Sequence, residues 1–138
     1  MKISFKNGNN IEILKISNLK KEYYEYFKRV VFDLSIEFEF FKVETTLDGE
    51  ESDFLNLKKC LEKLYDGEWK SFYFEPIGNS FQMHFELQEN GQIKVHSKLY
   101  NAMFTGMLEF EYLTNQTFLP ELIKEIDTVM NSGQSASY

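Results

Sequence analysis

Alternating apolar and polar residues run through most of the chain and predict that β-strands form most of the fold. In the stretch SIEFEFFKVETT, residues 35–46, Glu37 and Glu39 alternate with apolar side chains at the period of two expected of a half-buried strand. After Phe40 the apolar positions shift by one residue to begin at Phe41. We therefore predict a β-bulge near Phe40-Phe41, which keeps the aromatic face inward. The alternative is that both sides of this strand are partly covered.

Further strands are indicated before and after this stretch. Two short apolar runs flank residues 7–10, Asn-Gly-Asn-Asn, and predict a hairpin because Asn and Gly tolerate positive φ. Residues 18–29 are dense in charge and tyrosine and are left unassigned. Four later strand candidates have the spacing of about ten residues that is typical of an antiparallel meander. These candidates are WKSFYFEP, SFQMHFELQ, QIKVHSKL and GMLEFEY, and IGNS, residues 77–80, turns the chain between the first two.

The turn Glu89-Asn90-Gly91 predicts the register of its hairpin, because inward residues of paired strands must share a face. A two-residue loop would place Leu87 opposite Lys94, whereas a three-residue loop places it opposite Ile93. We predict the three-residue loop, with Gly91 in the left-handed conformation of a bulged turn.

Two helices are expected, and each has a cap signal and an apolar stripe. The first lies in LDGEESDFLNLKKCLEKLYDG, begins near Ser52 or Asp53 and ends at Gly67. The second lies in NQTFLPELIKEIDTVM and has Pro120 near its first turn. The buried stripes are predicted to be Phe54, Leu57, Leu61 and Leu64 in the first helix, and Leu119, Leu122, Ile126 and Val129 or Met130 in the second.

These elements predict an α+β fold, with an antiparallel sheet of about six or seven strands in meander order and two α-helices packed on one face. Residues 1–131 are expected to form a single domain, followed by a disordered polar tail over 132–138. The 14 Phe and 8 Tyr residues indicate a core built largely from aromatic rings.

Charge narrows the classes of partner. Lys and Arg total 15 and Asp and Glu total 22, for a net charge of −7, and no basic cluster is present. Nucleic acid and anionic membranes are therefore not expected partners. A basic protein is a suitable partner, because the negative electrostatic field of this chain would attract it. The alternative is that the charge only maintains solubility. No apolar run has the length of a signal peptide or a membrane span, so we expect a cytoplasmic protein.

Candidate chemistry is sparse. Cys60, the single cysteine, flanks an apolar helical stripe, so we predict that it is a small buried apolar residue rather than a nucleophile. The predicted register places His84 opposite His96, a pair that could bind a metal or respond to pH, or could be exposed with no task. No nucleotide-binding, zinc-protease or calcium-loop motif is present. We expect no enzyme activity, no cofactor and no metal.

The residues that face away from the predicted aromatic core form the candidate binding surface. Acidic residues collect there together with one tyrosine and one methionine, the mixture of charge and anchor residues found in interfaces. Ordinary solvation of an antiparallel sheet is the alternative explanation. The candidate partner-binding residues are Glu37, Glu39, Tyr73, Glu86, Met107, Glu109 and Glu111.

Several segments resemble the bacterial WapI-type immunity protein family. They are FDLSIEFEF, LEKLYDG, FYFEPIG with Glu75-Pro76, MHFELQENGQIKVHSKL and LEFEYLTNQTFLPELIKEI, from about Phe32 to Asp127. The turn Asn115-Gln116-Thr117-Phe118-Leu119 between an aromatic strand and a helix carries most of the likeness. Here Asp33 is followed by Leu-Ser, where the family tends to show Asn or Trp beside the Asp, and residues 1–31 match poorly.

The resemblance implies a small cytosolic protein that binds and neutralises the toxic domain of a polymorphic toxin by occluding it, without catalysis. The expected partner is a cognate toxin with a basic surface, because an acidic face can mimic the phosphates of a nuclease substrate. Two other classes stay open at this point. They are a general protein-interaction module and a small-ligand or metal-binding domain that uses His84 and His96.

Overall fold

Two β-sheets, whose principal strands are antiparallel, and two α-helices make up the part of the protein that the structure describes. The computed structural model describes residues 1–76, 80–132 and 134–137. The first sheet has the order β1-β2-β3-β4, and a short strand, β9, pairs in parallel with β2. Its strands are β1 (Lys2–Lys6), β2 (Glu12–Tyr23), β3 (Lys28–Phe38), β4 (Phe41–Glu50) and β9 (Gln134–Ser137).

The second sheet is a meander of four strands in the order β5-β6-β7-β8. Its strands are β5 (Ser71–Phe74), β6 (Phe81–Leu87), β7 (Gln92–Tyr100) and β8 (Met107–Asn115). The helices are α1 (Glu51–Tyr65), which joins the two sheets along the chain, and α2 (Leu119–Ser132).

The inward faces of the two sheets share one hydrophobic core. Phe5 of the first sheet and Phe85 of the second have ring centroids 6.4 Å apart, and Phe38 and Phe110 are 5.5 Å apart. All four rings lie on the inward side of their strands, and three of them are buried. The helices pack against each other, α2 along β1 and α1 beside β5, so they close one side of the core.

The predicted α+β class is confirmed, with antiparallel strands and two helices. The eight antiparallel strands are divided between two sheets, however, whereas the sequence predicts about six or seven in one. An alternating pattern tells which side of a strand is buried but not which strand lies beside it. The inward residues of β1–β4 are covered by those of β5–β8 rather than by helices alone.

The predicted bulge at Phe40-Phe41 is wrong, because the chain reverses there. Glu39 and Phe40 form a two-residue turn, and Phe38 pairs with Phe41 as the first pair of the β3–β4 hairpin. A two-residue turn shifts the apolar parity just as one inserted residue does, so Val43 still faces inward opposite Ile36. The opening stretch is a hairpin and not a single strand.

The turn at Glu89–Gly91 has the predicted register. The Gln88 amide donates to the Gln92 carbonyl at 2.7 Å, and Leu87 pairs with Ile93. Gly91 has φ +76°, as the predicted loop requires, and Asn90 also adopts positive φ at +61°. The hairpin over residues 7–10 is confirmed as well, since β1 pairs with β2.

Both helices bury the predicted stripes, including Val129 and Met130 together. The helix α1 begins at Glu51 with Glu50 as its N-cap, two or three residues before the predicted cap at Ser52 or Asp53. Asp53 Oδ2 instead accepts from the Glu50 amide at 2.8 Å and so stabilises the first turn. Residues 18–29, left unassigned above, belong to the long β2–β3 hairpin. The predicted turn at 77–80 falls largely outside the described residues.

The C-terminal segment differs from expectation. A disordered tail is predicted from residue 132, whereas α2 extends through Ser132 and β9 follows as a strand beside β2. Polar composition indicated disorder there, but main-chain pairing to an available strand does not depend on apolar side chains. The single-domain boundary at residue 131 stays a prediction.

Candidate functional site

The seven candidate residues divide between two surfaces. Five lie on the outer face of the second sheet, one lies on the outer face of the first sheet, and one lies in the β3–β4 turn. The members are, in that order, Tyr73, Glu86, Met107, Glu109 and Glu111, then Glu37, then Glu39. The single acidic plane that the sequence suggested is therefore not formed, because the strands carrying these residues belong to different sheets.

The outer face of the second sheet is charged in alternating strips. The outward residues of β7 are basic or neutral (Lys94, His96 and Lys98), whereas β8 presents Glu109 and Glu111. His96 Nε2 lies 2.7 Å from Glu109 Oε1, and Lys94 Nζ lies 3.8 Å from Glu111 Oε2. This face is thus not uniformly acidic: the acid is concentrated on β8, the last strand.

The two histidines are paired across strands, as the sequence predicts. Each ring has its own neighbour on the sheet face, since Tyr73 stacks on His84 with ring centroids 4.3 Å apart and His96 contacts Glu109. Within the described ranges, no group of three or more His, Cys, Asp or Glu side chains is arranged to hold a metal ion. The pair therefore contributes to the contacts of the outer face and lacks a third ligand there.

The tip of the β3–β4 hairpin reaches β8. The ring of Phe38 lies 5.5 Å from both Phe41 and Phe110, so the tip is held against the middle of β8. Phe40 is 96% exposed and Phe41 54% exposed, the former being the most exposed large apolar side chain described. Glu39 lies in the same turn. The tip and β8 together carry most of the acidic and apolar candidate residues.

Phe40 and Phe41 were missed as surface residues by the sequence reasoning. Adjacent phenylalanines at a break in alternation fit a bulge and a turn equally well, and only the bulge buries both. The signal that favours a turn is the length of the stretch, because one strand from Lys28 to Glu50 would far exceed the usual five or six residues.

A groove of about 590 Å³ lies between β4 and the end of the second sheet. Its apolar lining comes from β4 and from the residues on either side of the β7–β8 loop. The lining includes Val43, Leu47, Leu99, Met107 and Leu108. The groove therefore brings side chains of β4 close to those at the start of β8.

Cys60 is partly buried in α1, and burial raises the pKa of its thiol despite the nearby charge of Lys59. A raised thiol pKa reduces the thiolate fraction at neutral pH, so this side chain is poorly suited to nucleophilic attack. The sequence-based reading of Cys60 as a small apolar residue agrees with this environment.

Several residues in the segments that suggested a family make structural contacts. Asp33 accepts hydrogen bonds from Asn18 and Thr46, both at 2.8 Å, which hold the pKa of its carboxyl below its usual value and link β2, β3 and β4. Gln116 Nε2 donates to the carbonyl of Tyr65 at 3.3 Å, at the end of α1. These motif residues stabilise the junctions between elements.

The fold is that of a small α+β protein with an acidic strand, β8, and an exposed aromatic hairpin tip. Residues 3–132 match the Immunity protein WapI-like family, so the chain belongs to that family. No curated protein shows significant similarity to it. Among solved structures, the plant transcriptional regulator PBF-2 is similar at 9% identity and a TM-score of 0.48, over 94% of this chain and 80% of that one. No helix in the described ranges has the length and apolarity needed to cross a bilayer.

Proposed function

We propose that this protein neutralises a cognate toxin by binding it and covering its functional surface, without catalysis. Membership of the immunity family over residues 3–132 is the observation that carries the proposal. The net charge of −7 supports a basic partner, since opposite fields accelerate association and favour the correct orientation.

The proposed contact surface comprises the β3–β4 tip and β8. Glu39 at the tip and Glu109 and Glu111 on β8 supply negative charge, and Glu37 adds to it from the outer face of the first sheet beside the tip. Phe40 supplies an exposed aromatic anchor of the kind that dominates binding energy. Tyr73 and Glu86 lie on β5 and β6 of the second sheet, farther from the tip, and we assign them a peripheral part in the contact. Cytoplasmic location, where a toxin would act on its own producer, belongs to the same proposal.

The first experiment is co-expression with the products of the neighbouring genes, to identify a candidate toxin domain. Growth should be restored by the wild-type chain, and the two purified proteins should form a complex. Absence of both rescue and complex would refute the proposed function.

The role of charge is tested by changing Glu37, Glu39, Glu109 and Glu111 together to Gln. At low ionic strength the association rate with the toxin should fall at least about tenfold, because steering depends on these charges. The matched control changes the same number of exposed glutamates elsewhere, namely Glu25, Glu62, Glu68 and Glu89. Equal effects of the two sets would show that only net charge matters and that the assigned surface is wrong.

A further inference from the structure

Three edge strands of the two sheets, β1, β5 and β8, differ in what lies beside them. The edge strand β1 is covered by α2, and the Ser4 amide donates to Glu125 Oε1 of that helix at 2.8 Å. The edge strand β5 lies beside α1. Beyond β8, by contrast, no further strand is present among residues 1–76, 80–132 and 134–137. An uncovered edge strand presents a row of backbone donors and acceptors to any extended partner.

The direction of the backbone groups of β8 follows from two hydrogen bonds of β7 and from the register of the β7–β8 pair. The Gln88 amide donates to Gln92 and the Tyr100 amide to Ser80, so even-numbered residues of β7 face β6 and odd-numbered ones face β8. The residues of β8 bonded to β7 are then the even-numbered ones.

The odd-numbered residues of β8 therefore direct their amides and carbonyls away from β7. The Leu113 carbonyl does so, since it accepts from the Gly8 amide at 2.8 Å. The same direction holds for Met107, Glu109 and Glu111, which are the three residues of β8 that the sequence had marked as candidates for partner binding. Their backbone and their side chains are thus available on one stretch of strand.

The composition of β8 lacks the residues that usually prevent an edge strand from pairing with another chain. Natural edge strands are commonly short or interrupted, or carry Lys or Pro, which prevents pairing with other chains. The strand MLEFEYLTN has nine residues and contains neither Lys nor Pro. Its edge is instead acidic, which deters a second copy, because pairing β8 with itself would bring glutamates together.

Charge alternation across the second sheet indicates what the edge accepts. Glu86 on β6 faces Lys94 on β7, Lys98 on β7 faces Glu109 on β8, and the alternation stops there. A fifth strand with Lys or Arg at its outward positions would continue it, because opposite charges on adjacent strands stabilise a sheet. On its other side such a strand would meet the apolar tip at Phe41 and the groove beside Leu108.

We propose that the edge of β8 from Met107 to Glu111 receives an extended segment of the toxin as a fifth strand of the second sheet, with basic residues alternating with apolar ones. This inference rests on the proposed function and specifies how the toxin is held. Main-chain hydrogen bonds supply affinity in such strand addition, and the side chains of the added strand supply specificity.

The test compares Glu109→Pro with Glu109→Gln. Both variants lose the same negative charge, and Gln keeps an oxygen that can accept from His96. Only proline removes the outward amide, which is not part of the β7–β8 ladder. Circular dichroism and thermal melting check that each variant folds. The dissociation constant for the toxin domain should be at least about tenfold weaker for Pro than for Gln, the loss expected when a backbone hydrogen bond is removed from a dry interface.

A second comparison does not depend on proline. Glu111→Lys, at the edge, should weaken toxin binding strongly, whereas Glu86→Lys, on the same outer face but in the interior strand β6, should weaken it much less. Amide resonances of Met107, Glu109 and Glu111 should also shift when unlabelled toxin is added to ¹⁵N-labelled protein.

The outcomes separate the two proposals. If the wild-type chain does not bind the toxin, the proposed function fails. If it binds but Pro and Gln at position 109 are equivalent, and Glu86→Lys costs as much as Glu111→Lys, the strand-addition inference fails alone. Amide shifts confined to β4, an edge strand of the first sheet, or a dimer formed through β8 in sedimentation, would equally overturn it.

Discussion

At the scale of single residues, Glu39 adopts a backbone conformation that favours glycine. Its φ of +50° lies in the left-handed region, which costs an L-residue about 1–2 kcal/mol. Glycine avoids that cost but loses about 0.5–1 kcal/mol through its greater freedom in the unfolded chain. We expect Glu39→Gly to raise the free energy of unfolding in urea by up to about 1 kcal/mol.

The control for that substitution is Phe40→Gly in the same turn. Phe40 is almost fully exposed and has no positive φ, so glycine there brings only the entropic cost and should lower the free energy of unfolding. Equal destabilisation by both variants would contradict the assigned turn. A stabilised Glu39→Gly protein that binds toxin more weakly would indicate that Glu39 is kept for binding.

Glu125 links α2 to β1 and carries the second prediction at this scale. Burial raises the pKa of its carboxyl, and nearby Glu121 adds to this, while the Ser4 amide, Lys6 and Lys2 oppose it. A raised folded-state pKa means that the folded protein binds the proton more tightly than the unfolded chain. The contribution of this group to stability therefore increases as pH falls from 7 through the folded pKa.

Glu125→Gln should be more stable than the wild type at pH 7, because the amide oxygen still accepts from Ser4 while the partly buried charge is gone. The difference should shrink as pH is lowered toward about 4.3, the pKa of an unperturbed glutamate. Urea denaturation of both proteins at several pH values measures it. A difference that grows on acidification would show that the pKa is lowered and not raised.

At the scale of elements, Lys21 of β2 holds the end of α2. Its side chain is buried, and Nζ donates to the Met130 carbonyl near the helix C-terminus, where a positive charge also complements the helix dipole. Lys21→Met keeps the apolar stem and removes the charge and the donor. We expect a loss of about 1–3 kcal/mol of unfolding free energy, the cost of an unsatisfied buried acceptor.

Lys20→Met is the matched control for Lys21, since Lys20 is adjacent in β2 and exposed. It should change the unfolding free energy by less than about 0.5 kcal/mol. Hydrogen exchange should show faster opening of the last turn of α2 in Lys21→Met but not in Lys20→Met. Equal protection of that turn in both variants would mean that Lys21 does not cap the helix.

Elements defined by local signals were predictable from the sequence. The stripe of α1, the left-handed Gly67 just after the end of that helix and the register around Gly91 depend on neighbours in the chain, and the structure has all three. The β3–β4 turn was not predictable in this way. Its two residues, Glu39 and Phe40, are not of the types common in turns, and Glu39 nevertheless adopts positive φ. Tertiary packing of Phe38 against Phe110 favours the turn instead.

The candidate site was only partly predictable for a related reason. Alternation within β8 predicts that the side chains of Glu109 and Glu111 lie on the outer face of the sheet, and they do. Which sheet contains each strand, and which strand lies at an edge, depends on pairings between distant segments that alternation does not encode. The free edge of β8 and the approach of the β3–β4 tip thus required the structure.

At the scale of the whole molecule, α1 connects the two sheets through one ring. Phe54 makes edge-to-face contacts with Phe32 of the first sheet and Phe74 of the second, with centroids 5.3 and 5.6 Å apart. Because all three rings belong to one shared core, the sheets should unfold together in a single transition. The hairpin tip and β8 come from different sheets, so the proposed toxin surface exists only while they are joined.

Phe54→Ala should therefore lower the unfolding free energy by about 3–5 kcal/mol, through lost burial and the cavity left between the sheets. Leu55→Ala is the control, because Leu55 is exposed on the same helix and should change stability by less than about 0.5 kcal/mol. Trp69 fluorescence, beside β5, and far-ultraviolet circular dichroism should give coincident urea transitions in both variants. Two separated transitions in Phe54→Ala would mean that each sheet folds by itself. In that case the tip and β8 would lose their fixed relation before the sheets melt, and toxin binding should fail earlier in urea than the secondary structure.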